Sequence, residues 1–187
     1  FEQEHTNPLP KQVFIYCWRG GMRSAAMAWA LQMGGYEVVL MKGGYKSYRK
    51  LCLQTFNAPY PIIVLSGKTG SAKTELLAAL KVLGEQVIDL EELANHQGSS
   101  FGSMGKNIQP SQEHFENLLC AELLSLSKEK EVWMENESIL IGRNKIPEGI
   151  FTQMRETAIV DIEIPYQQRV SFLVEKYGCL DPLFLRE

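Results

Sequence analysis

Residues 61–74, PIIVLSGKTGSAKT, constrain the fold of this chain more than any other stretch. A short apolar run leads into a glycine-bearing loop, the loop ends in Lys73 and Thr74, and leucines then repeat at helical spacing. Strand, glycine loop, Lys-Thr and helix in this order are typical of a phosphate-binding loop. The sequence therefore predicts a parallel α/β sheet with an anion site where one strand ends.

The polar residues of this loop each have an expected role in binding a phosphate. Gly67 and Gly70 allow the backbone, together with Ser71, to turn so that N–H groups point at one oxyanion. Lys73 is expected to reach the outer phosphates, and the Thr74 hydroxyl is expected to ligate Mg²⁺. The alternative is a glycine turn between a strand and a helix that binds nothing.

Ala72 departs from the motif, which has glycine before the lysine. Its methyl group is expected to narrow the cradle and to weaken nucleotide binding. The loop would hold any diphosphate, so the residues leave open whether ATP binds there.

Three further residues are candidates for the same site. Asp89 follows a short apolar strand and is predicted to be a second carboxylate on the Mg²⁺ side, although a helix-capping aspartate is the alternative. Arg143, which follows a glycine and two carboxylates, is predicted to contact phosphate, and a surface arginine is nearly as good an interpretation. His96 precedes a glycine–serine stretch, residues 97–105, that is expected to be a functional loop or a surface linker.

An earlier β-loop-α-β-α section is built around Cys17. The cysteine follows a short apolar strand and precedes a helix, which is where open α/β sheets place ligands. The loop N–H groups, the helix N-terminus, Arg19 and Arg23 are all expected to stabilise a thiolate and to lower its pKa. The alternative is a buried, inert cysteine.

Composition limits the partners and the compartment. The net charge of −3 means that any nucleic acid must be met by a local basic patch, for which the best candidates are Lys42, Lys46, Arg49 and Lys50. A solvated helix face is an equally good interpretation of that patch. The four cysteines form no CxxC pair, and no apolar run approaches the ~20 residues of a membrane helix. A reducing cytoplasm is the expected location, without a membrane partner.

Two loops carry a resemblance to a known family. YCWRGGMRS at residues 16–24, followed by VLMKGGYKSYR at 39–49, resembles the C-terminal half of a rhodanese (sulfurtransferase) domain. In that family the cysteine carries sulfur or selenium. The loop here is one residue longer than the usual rhodanese loop, and its Cys-x5-Arg length also matches the loop of cysteine phosphatases.

The later segments narrow the resemblance. DLEELANHQGSSFG at 89–102, PSQEHFEN at 110–117 and ENESILIGRNKIP at 135–147 resemble the bacterial tRNA 2-selenouridine synthase family. The resemblance implies the C-terminal part of a rhodanese-like parallel sheet in residues 1–57. It also implies a P-loop NTPase-like α/β domain in residues 58–187, in a chain that is a fragment cut at both ends.

The same resemblance implies a reaction. Sulfur is replaced by selenium at the wobble 2-thiouridine of tRNA, with selenophosphate as selenium donor and an S-geranyl-2-thiouridine intermediate made from geranyl diphosphate. Cys17 takes selenium, Arg19 and Arg23 bind the donor's phosphate, and the phosphate loop holds the diphosphate. An enzyme that supplies selenophosphate is an expected partner.

Three other interpretations stay open. One is a Cys-x5-Arg phosphatase fused to a nucleotide kinase. Another is a thiosulfate sulfurtransferase whose phosphate loop is merely structural. The third is a tRNA-binding module without enzymatic activity.

Overall fold

The computed structural model of this protein describes residues 12–96 and 108–177. The glycine–serine stretch and Cys179 lie outside the described residues. The chain divides into two compact units, Phe1–Gln54 and Thr55–Glu187, and the predicted boundary between residues 57 and 58 lies close to this division. Within the described part of the chain, we find no helix with the length and apolar character needed to cross a membrane.

The first unit contains two strands and two helices that alternate along the chain. They are β1 (Gln12–Ile15), α1 (Met22–Met33), β2 (Glu37–Leu40) and α2 (Gly44–Phe56), whose last residues continue into the second unit. The strands β1 and β2 are parallel, and Phe14 is opposite Val39. Among the described strands they pair only with each other. Large apolar side chains are therefore left exposed in this unit, including Phe14 at 70% and Met22 at 90%.

The second unit contains most of the regular structure. Its strands are β3 (Ile62–Gly67), β4 (Gln86–Ile88), β5 (Val132–Glu135), β6 (Leu140–Ile141), β7 (Asn144–Lys145) and β8 (Ile159–Ile162). Its helices are α3 (Lys73–Val82), α4 (Leu90–Ala94), α5 (Gln112–Ser125), α6 (Glu148–Glu156) and α7 (Tyr166–Tyr177). The predicted fold class, parallel α/β with a rhodanese-like part and a P-loop-like part, is confirmed.

A four-stranded parallel sheet in the order β4-β5-β3-β8 forms the centre of the second unit. Strand β3 is an interior strand, and its apolar run is buried as expected for a strand covered on both faces: Val64 and Leu65 are almost inaccessible. Leu65 packs with Leu77 of α3 in the core. Leu65 is also opposite Glu135 of β5. Parallel register therefore brings the end of β5 next to the phosphate loop.

Candidate functional site

The Cys17 thiol lies in the turn between β1 and α1 and is surrounded by hydrogen-bond donors. The Gly21 N–H donates to its Sγ at 3.3 Å, and the Ser24 Oγ lies 3.3 Å from the same sulfur. The Ser24 hydroxyl also lies 3.0 Å from the Gly21 carbonyl, to which it donates. A hydroxyl has one proton, so when the thiol is ionised that proton can turn to the sulfur.

These contacts lower the pKa of the Cys17 thiol from 9.0 to about 6. The largest cause is the hydrogen bond with the Ser24 hydroxyl, and the next is the Gly21 N–H. The backbone N–H groups of Ser24 and Arg19 add to the effect, while desolvation opposes it. Because the pKa lies below 7, most of the thiol is thiolate at neutral pH, which is the nucleophilic form.

The predicted electrostatic role of Arg19 and Arg23 needs a correction. Arg19 lowers the pKa of Cys17 through its backbone N–H, and among the described residues neither guanidinium is a cause of the shift. Both arginine side chains are exposed, and solvent screens an exposed charge. Sequence reasoning missed Ser24, although its place directly after Arg23, at the start of a helix that follows the cysteine, was a usable signal. The binding of a donor phosphate by the two arginines stays a prediction.

The loop that contains Gly43 and Gly44 holds the cysteine loop in place through backbone hydrogen bonds. Tyr45 N donates to the Cys17 carbonyl at 3.0 Å, and Lys46 N donates to the Trp18 carbonyl at 2.9 Å. The first turn of α2 thus satisfies its N–H groups on the backbone of the cysteine loop. A Cβ atom on Gly44 would lie 2.1 Å from the Cys17 carbonyl oxygen. This close approach requires glycine at position 44.

The predicted basic patch is placed largely on α2. Lys46, Arg49 and Lys50 have the spacing that puts side chains on one face of a helix. Lys42 precedes the helix, and the three lysines are exposed while Arg49 is half-buried. Helix α2 therefore has a cationic face that consists of Lys46, Arg49 and Lys50. Its contact with tRNA stays a prediction.

The phosphate loop connects β3 to α3 and has the backbone that its motif predicts. Gly70 has φ +83° and Ala72 has φ +57°, and Ala72 immediately precedes the first residue of α3. A non-glycine residue in this left-handed region costs roughly 1–2 kcal/mol. The conformation explains why glycine is expected at position 72. The narrowing of the cradle by the Ala72 methyl group stays a prediction.

The Lys73 side chain contacts both the start of this loop and the end of β5. Its Nζ donates to the Gly67 carbonyl at 3.0 Å and forms an ion pair with Glu135 Oε1 at 3.3 Å. The Ser71 side chain is buried, and its hydroxyl has no hydrogen-bond partner among the described residues. A Cβ atom built on Gly67 would lie 2.6 Å from that hydroxyl. The loop therefore holds an ammonium and a spare hydroxyl, two donors that an anion site can use. The predicted direction of its backbone N–H groups toward one oxyanion stays a prediction.

Three carboxylates lie beside Lys73. Oxygens of Glu91, Glu135 and Glu137 lie within 4.8 Å of one another. Burial raises the pKa of Glu135, and the nearby Lys73 opposes that rise. Burial, followed by the charges of Glu91 and Glu135, raises the pKa of Glu137 to about 7. Glu135 ends β5 and Glu137 follows it, and sequence reasoning did not single out either of them for this role.

Asp89 caps a helix, which is the alternative role considered for this residue. Its Oδ1 accepts a hydrogen bond from Glu92 N at 2.8 Å, so it caps the N-terminus of α4. This is the alternative interpretation of the residue. The three-carboxylate cluster does not include Asp89, and its role as a Mg²⁺ ligand, like that of the exposed Thr74, stays a prediction.

Arg143 lies in the turn of the β6–β7 hairpin. Its N–H donates to Gln109 Oε1 at 3.0 Å, and its guanidinium donates to the Gln109 carbonyl. The described contacts of the side chain are therefore those of a residue that holds Gln109 on the hairpin, and phosphate binding by Arg143 stays a prediction. His96 lies close to the same hairpin, and its buried Nδ1 has no hydrogen-bond partner among the described residues.

Comparison with known proteins assigns each of the two loops to a family domain. A family model described as the tRNA 2-selenouridine synthase AAA domain matches residues 60–181, and a rhodanese-like domain model matches residues 1–51. A tRNA 2-selenouridine synthase of Shewanella piezotolerans is 37% identical over 169 residues, which are 88% of this chain and 45% of that protein. One from Shewanella sp. strain MR-7 is 40% identical over 173 residues, 89% of this chain and 45% of that protein. The chain spans about half the length of the curated relatives that it matches.

Proposed function

Because the chain belongs to the tRNA 2-selenouridine synthase family, we propose that it replaces sulfur by selenium at the wobble 2-thiouridine of tRNA. Selenophosphate is the selenium donor, and the reaction passes through S-geranyl-2-thiouridine formed from geranyl diphosphate. An enzyme that makes selenophosphate is the corresponding partner, and the cytoplasm, where tRNA is found, is the corresponding location.

The phosphate loop serves the geranyl step. The thiocarbonyl sulfur of the uridine attacks the first carbon of the geranyl group, the carbon–oxygen bond breaks, and diphosphate leaves. Lys73, the spare Ser71 hydroxyl and the loop N–H groups stabilise the charge that develops on the departing oxygens. Lys73 now neutralises Glu135, so an arriving diphosphate would share the ammonium with that carboxylate.

The fit of a Mg²⁺ ion to this site can be judged from its donor set. Carboxylate oxygens of Glu91, Glu135 and Glu137 lie close enough together to share one cation, and such oxygens are the ligands that Mg²⁺ prefers. Thr74 and Asp89 are the other candidate ligands. A bound Mg²⁺ would neutralise the charge of the leaving diphosphate.

The cysteine loop serves the selenium step. The Cys17 thiolate attacks the phosphorus of selenophosphate, the phosphorus–selenium bond breaks, and selenium leaves as hydrogen selenide, while Arg19 and Arg23 bind the phosphate of the donor. The selenide attacks C2, the C2–sulfur bond breaks, and the sulfur leaves with the geranyl group and takes the selenide's proton to become a thiol. Water then releases phosphate from Cys17 and restores the thiolate. The observation that carries the proposal is the Cys17 thiol, whose sulfur lies 3.3 Å from both the Gly21 nitrogen and the Ser24 hydroxyl oxygen and whose pKa these contacts lower to about 6. It supplies a nucleophile next to donors suited to an oxyanion.

Mass spectrometry of tRNA after incubation with this chain tests the proposal. Wobble 2-thiouridine tRNA, geranyl diphosphate and selenophosphate are supplied separately and together. Geranyl on the base, followed by selenium in place of sulfur, is the expected result; Cys17→Ser removes only the second change and Lys73→Ala removes the first. Unmodified tRNA with phosphate released from a simple monoester would show a phosphatase instead. Persulfide on Cys17 from thiosulfate would show a sulfurtransferase, and tRNA retention without turnover would show a binding module.

A further inference from the structure

Helix α7 forms the outer wall of the phosphate loop. Its Arg169 donates from Nη1 to the Thr69 carbonyl at 3.0 Å and from Nε to the Ile164 carbonyl at 3.2 Å. A Cβ atom on Gly70 would lie 2.8 Å from the Arg169 carbonyl oxygen and 3.0 Å from Leu173 Cγ. The helix therefore packs on the loop closely enough to require glycine there. The motif alone did not predict this contact.

A cavity of about 390 Å³ opens between the loop, the end of β8 and the start of α7. Its apolar wall consists of Ile162, Ile164 and Pro165, and Lys68 and Arg169 supply two cations. The carboxylates Asp161 and Glu163 complete the lining and are exposed, as is Lys68, whereas Arg169 is half-buried. The volume lies within the range of small-molecule pockets, about 300–1,000 Å³.

The position of the cavity indicates what it would hold. Lys68 directly follows Gly67, so the cavity begins where the phosphate loop begins. A ligand whose phosphates occupy the loop would extend its organic group toward this cavity or toward solvent. Two cations near the loop favour the phosphate side of such a ligand, and three aliphatic side chains favour an apolar group beyond it.

We infer that this cavity is the subsite for the apolar organic group of a diphosphate ester whose phosphates lie in the loop. This inference rests on the proposed function, which places a diphosphate there. Arg169 is the positioning residue between the two parts. Two of the five N–H donors of its guanidinium bind the Thr69 and Ile164 carbonyls, and further donors of the same group can face the ester's phosphate.

Binding titrations of the full chain with three ligands test the inference. Inorganic pyrophosphate occupies the loop alone, geranyl diphosphate adds an apolar group, and ADP adds a nucleoside. Geranyl diphosphate is expected to bind at least about tenfold tighter than pyrophosphate, because burial of several methylene groups is favourable. Ile164→Asp is expected to remove that advantage and to leave pyrophosphate affinity within about twofold.

Two further variants separate the cavity from the fold. Pro165→Asp also places a charge in the apolar wall, and aspartate is well tolerated just before a helix, so it should fold and should also abolish the advantage of the ester. Val174→Asp changes an exposed residue of α7 outside the cavity and should bind all three ligands as the unmodified chain does. Thermal unfolding of each variant is compared with that of the unmodified chain.

The outcomes distinguish this inference from the proposed function. If Lys73→Ala abolishes pyrophosphate binding but Ile164→Asp and Pro165→Asp keep the ester's advantage, the cavity assignment is wrong and the phosphate site stands. An ester that binds no tighter than pyrophosphate would also overturn it. ADP preferred over geranyl diphosphate, with that preference lost in Ile164→Asp, would assign the cavity to a nucleoside. Lys73→Ala that binds pyrophosphate like the unmodified chain would overturn the proposed function.

Discussion

The cysteine loop and the phosphate loop occupy the same kind of position in their sheets, but they carry side chains of opposite charge. The first carries the thiolate of Cys17 and the second the ammonium of Lys73. Each lies at the carboxyl end of a parallel strand and leads into a helix. The cysteine loop directs its donors at a sulfur that the chain itself carries, so its anion is built in. The phosphate loop, residues 67–74, carries no acidic side chain of its own, and its ammonium is paired with the buried Glu135 of β5.

The comparison shows how one backbone arrangement can serve two chemistries. Main-chain N–H groups at a helix N-terminus favour any anion, and the side chain that faces those groups decides whether the anion is a nucleophile or a ligand. Bracing differs as well. The cysteine loop is held by the backbone of a second loop, whereas the phosphate loop is held by Lys73 and by α7.

The largest expected effect comes from removing the ammonium. Lys73→Ala should weaken pyrophosphate binding by about tenfold to a hundredfold, because a charge-assisted contact is lost. If the two sites are independent, the pH at which alkylation of Cys17 is half-maximal should be the same in Lys73→Ala as in the unmodified chain. Isothermal titration and mass-resolved alkylation provide the measurements, and Lys81→Ala, in the last turn of α3, is the matched control. A parallel change in both readouts would contradict independence.

Ser24→Ala should change only the cysteine loop. The hydroxyl is the largest cause of the low pKa of Cys17, so the midpoint of alkylation should rise from about 6 toward 9.0, by at least about one pH unit. Ser24→Thr keeps a hydroxyl and should restore most of the shift. Pyrophosphate affinity should not change in either variant. An unchanged midpoint in Ser24→Ala would show that the backbone N–H groups suffice.

The low pKa also makes stability depend on pH. The folded pKa of Cys17, about 6, lies below the ordinary 9.0, so the ionised thiol stabilises the folded state fully above pH 9. That contribution should be lost as the pH falls from 9 to 6. Cys17→Ser should remove this part of the pH dependence of the free energy of unfolding, measured by denaturant titration at pH 6 and pH 9. Equal pH dependence in both proteins would argue against a thiolate.

Ala72→Gly should stabilise the phosphate loop. The left-handed backbone of Ala72 costs roughly 1–2 kcal/mol, part of which glycine relieves, so the free energy of unfolding should rise by up to about 1 kcal/mol. Ala79→Gly in the exposed interior of α3 should instead lower it by about 1 kcal/mol. Opposite signs for the two substitutions are the expected pattern, and destabilisation by both would mean that position 72 is not strained.

The smallest expected effect on stability is that of Asp89→Asn, and comparison with Asp89→Ala separates two roles of this residue. Asp89→Ala should reduce the free energy of unfolding by about 1 kcal/mol through loss of the α4 cap. Asn is also a good cap, so Asp89→Asn should be nearly neutral for stability. If Asp89 also ligates Mg²⁺, Asp89→Asn should still weaken Mn²⁺ binding in the presence of pyrophosphate. Unchanged Mn²⁺ affinity in Asp89→Asn would leave the residue with the capping role alone.

Local order along the chain was the part of the fold that could be predicted. Both strand–loop–helix units and the residues of the phosphate loop follow from short-range pattern. Glu135 could not be chosen from pattern, because Asp89 also ends a short apolar strand. Only the strand order, which places β5 between β4 and β3, shows which carboxylate lies next to Lys73.

The missed role of Ser24 has a similar cause. Arg19 and Arg23 were predicted to stabilise the thiolate because they carry positive charge, but their side chains are exposed. The serine is buried, and the folded loop places its hydroxyl 3.3 Å from the sulfur. A neutral hydroxyl held at hydrogen-bond distance therefore shifts the thiol's pKa, whereas charges that face solvent do not.

Titration of the Cys17 thiolate in the full chain tests the central claim most directly. Ultraviolet thiolate absorbance is followed from acid to alkaline pH, and the profile of Cys17→Ser is subtracted to isolate this sulfur from Cys52, Cys120 and Cys179. The account predicts a midpoint near the pKa of about 6. A midpoint near the ordinary 9.0 would contradict it and would leave the first loop without an anion of its own.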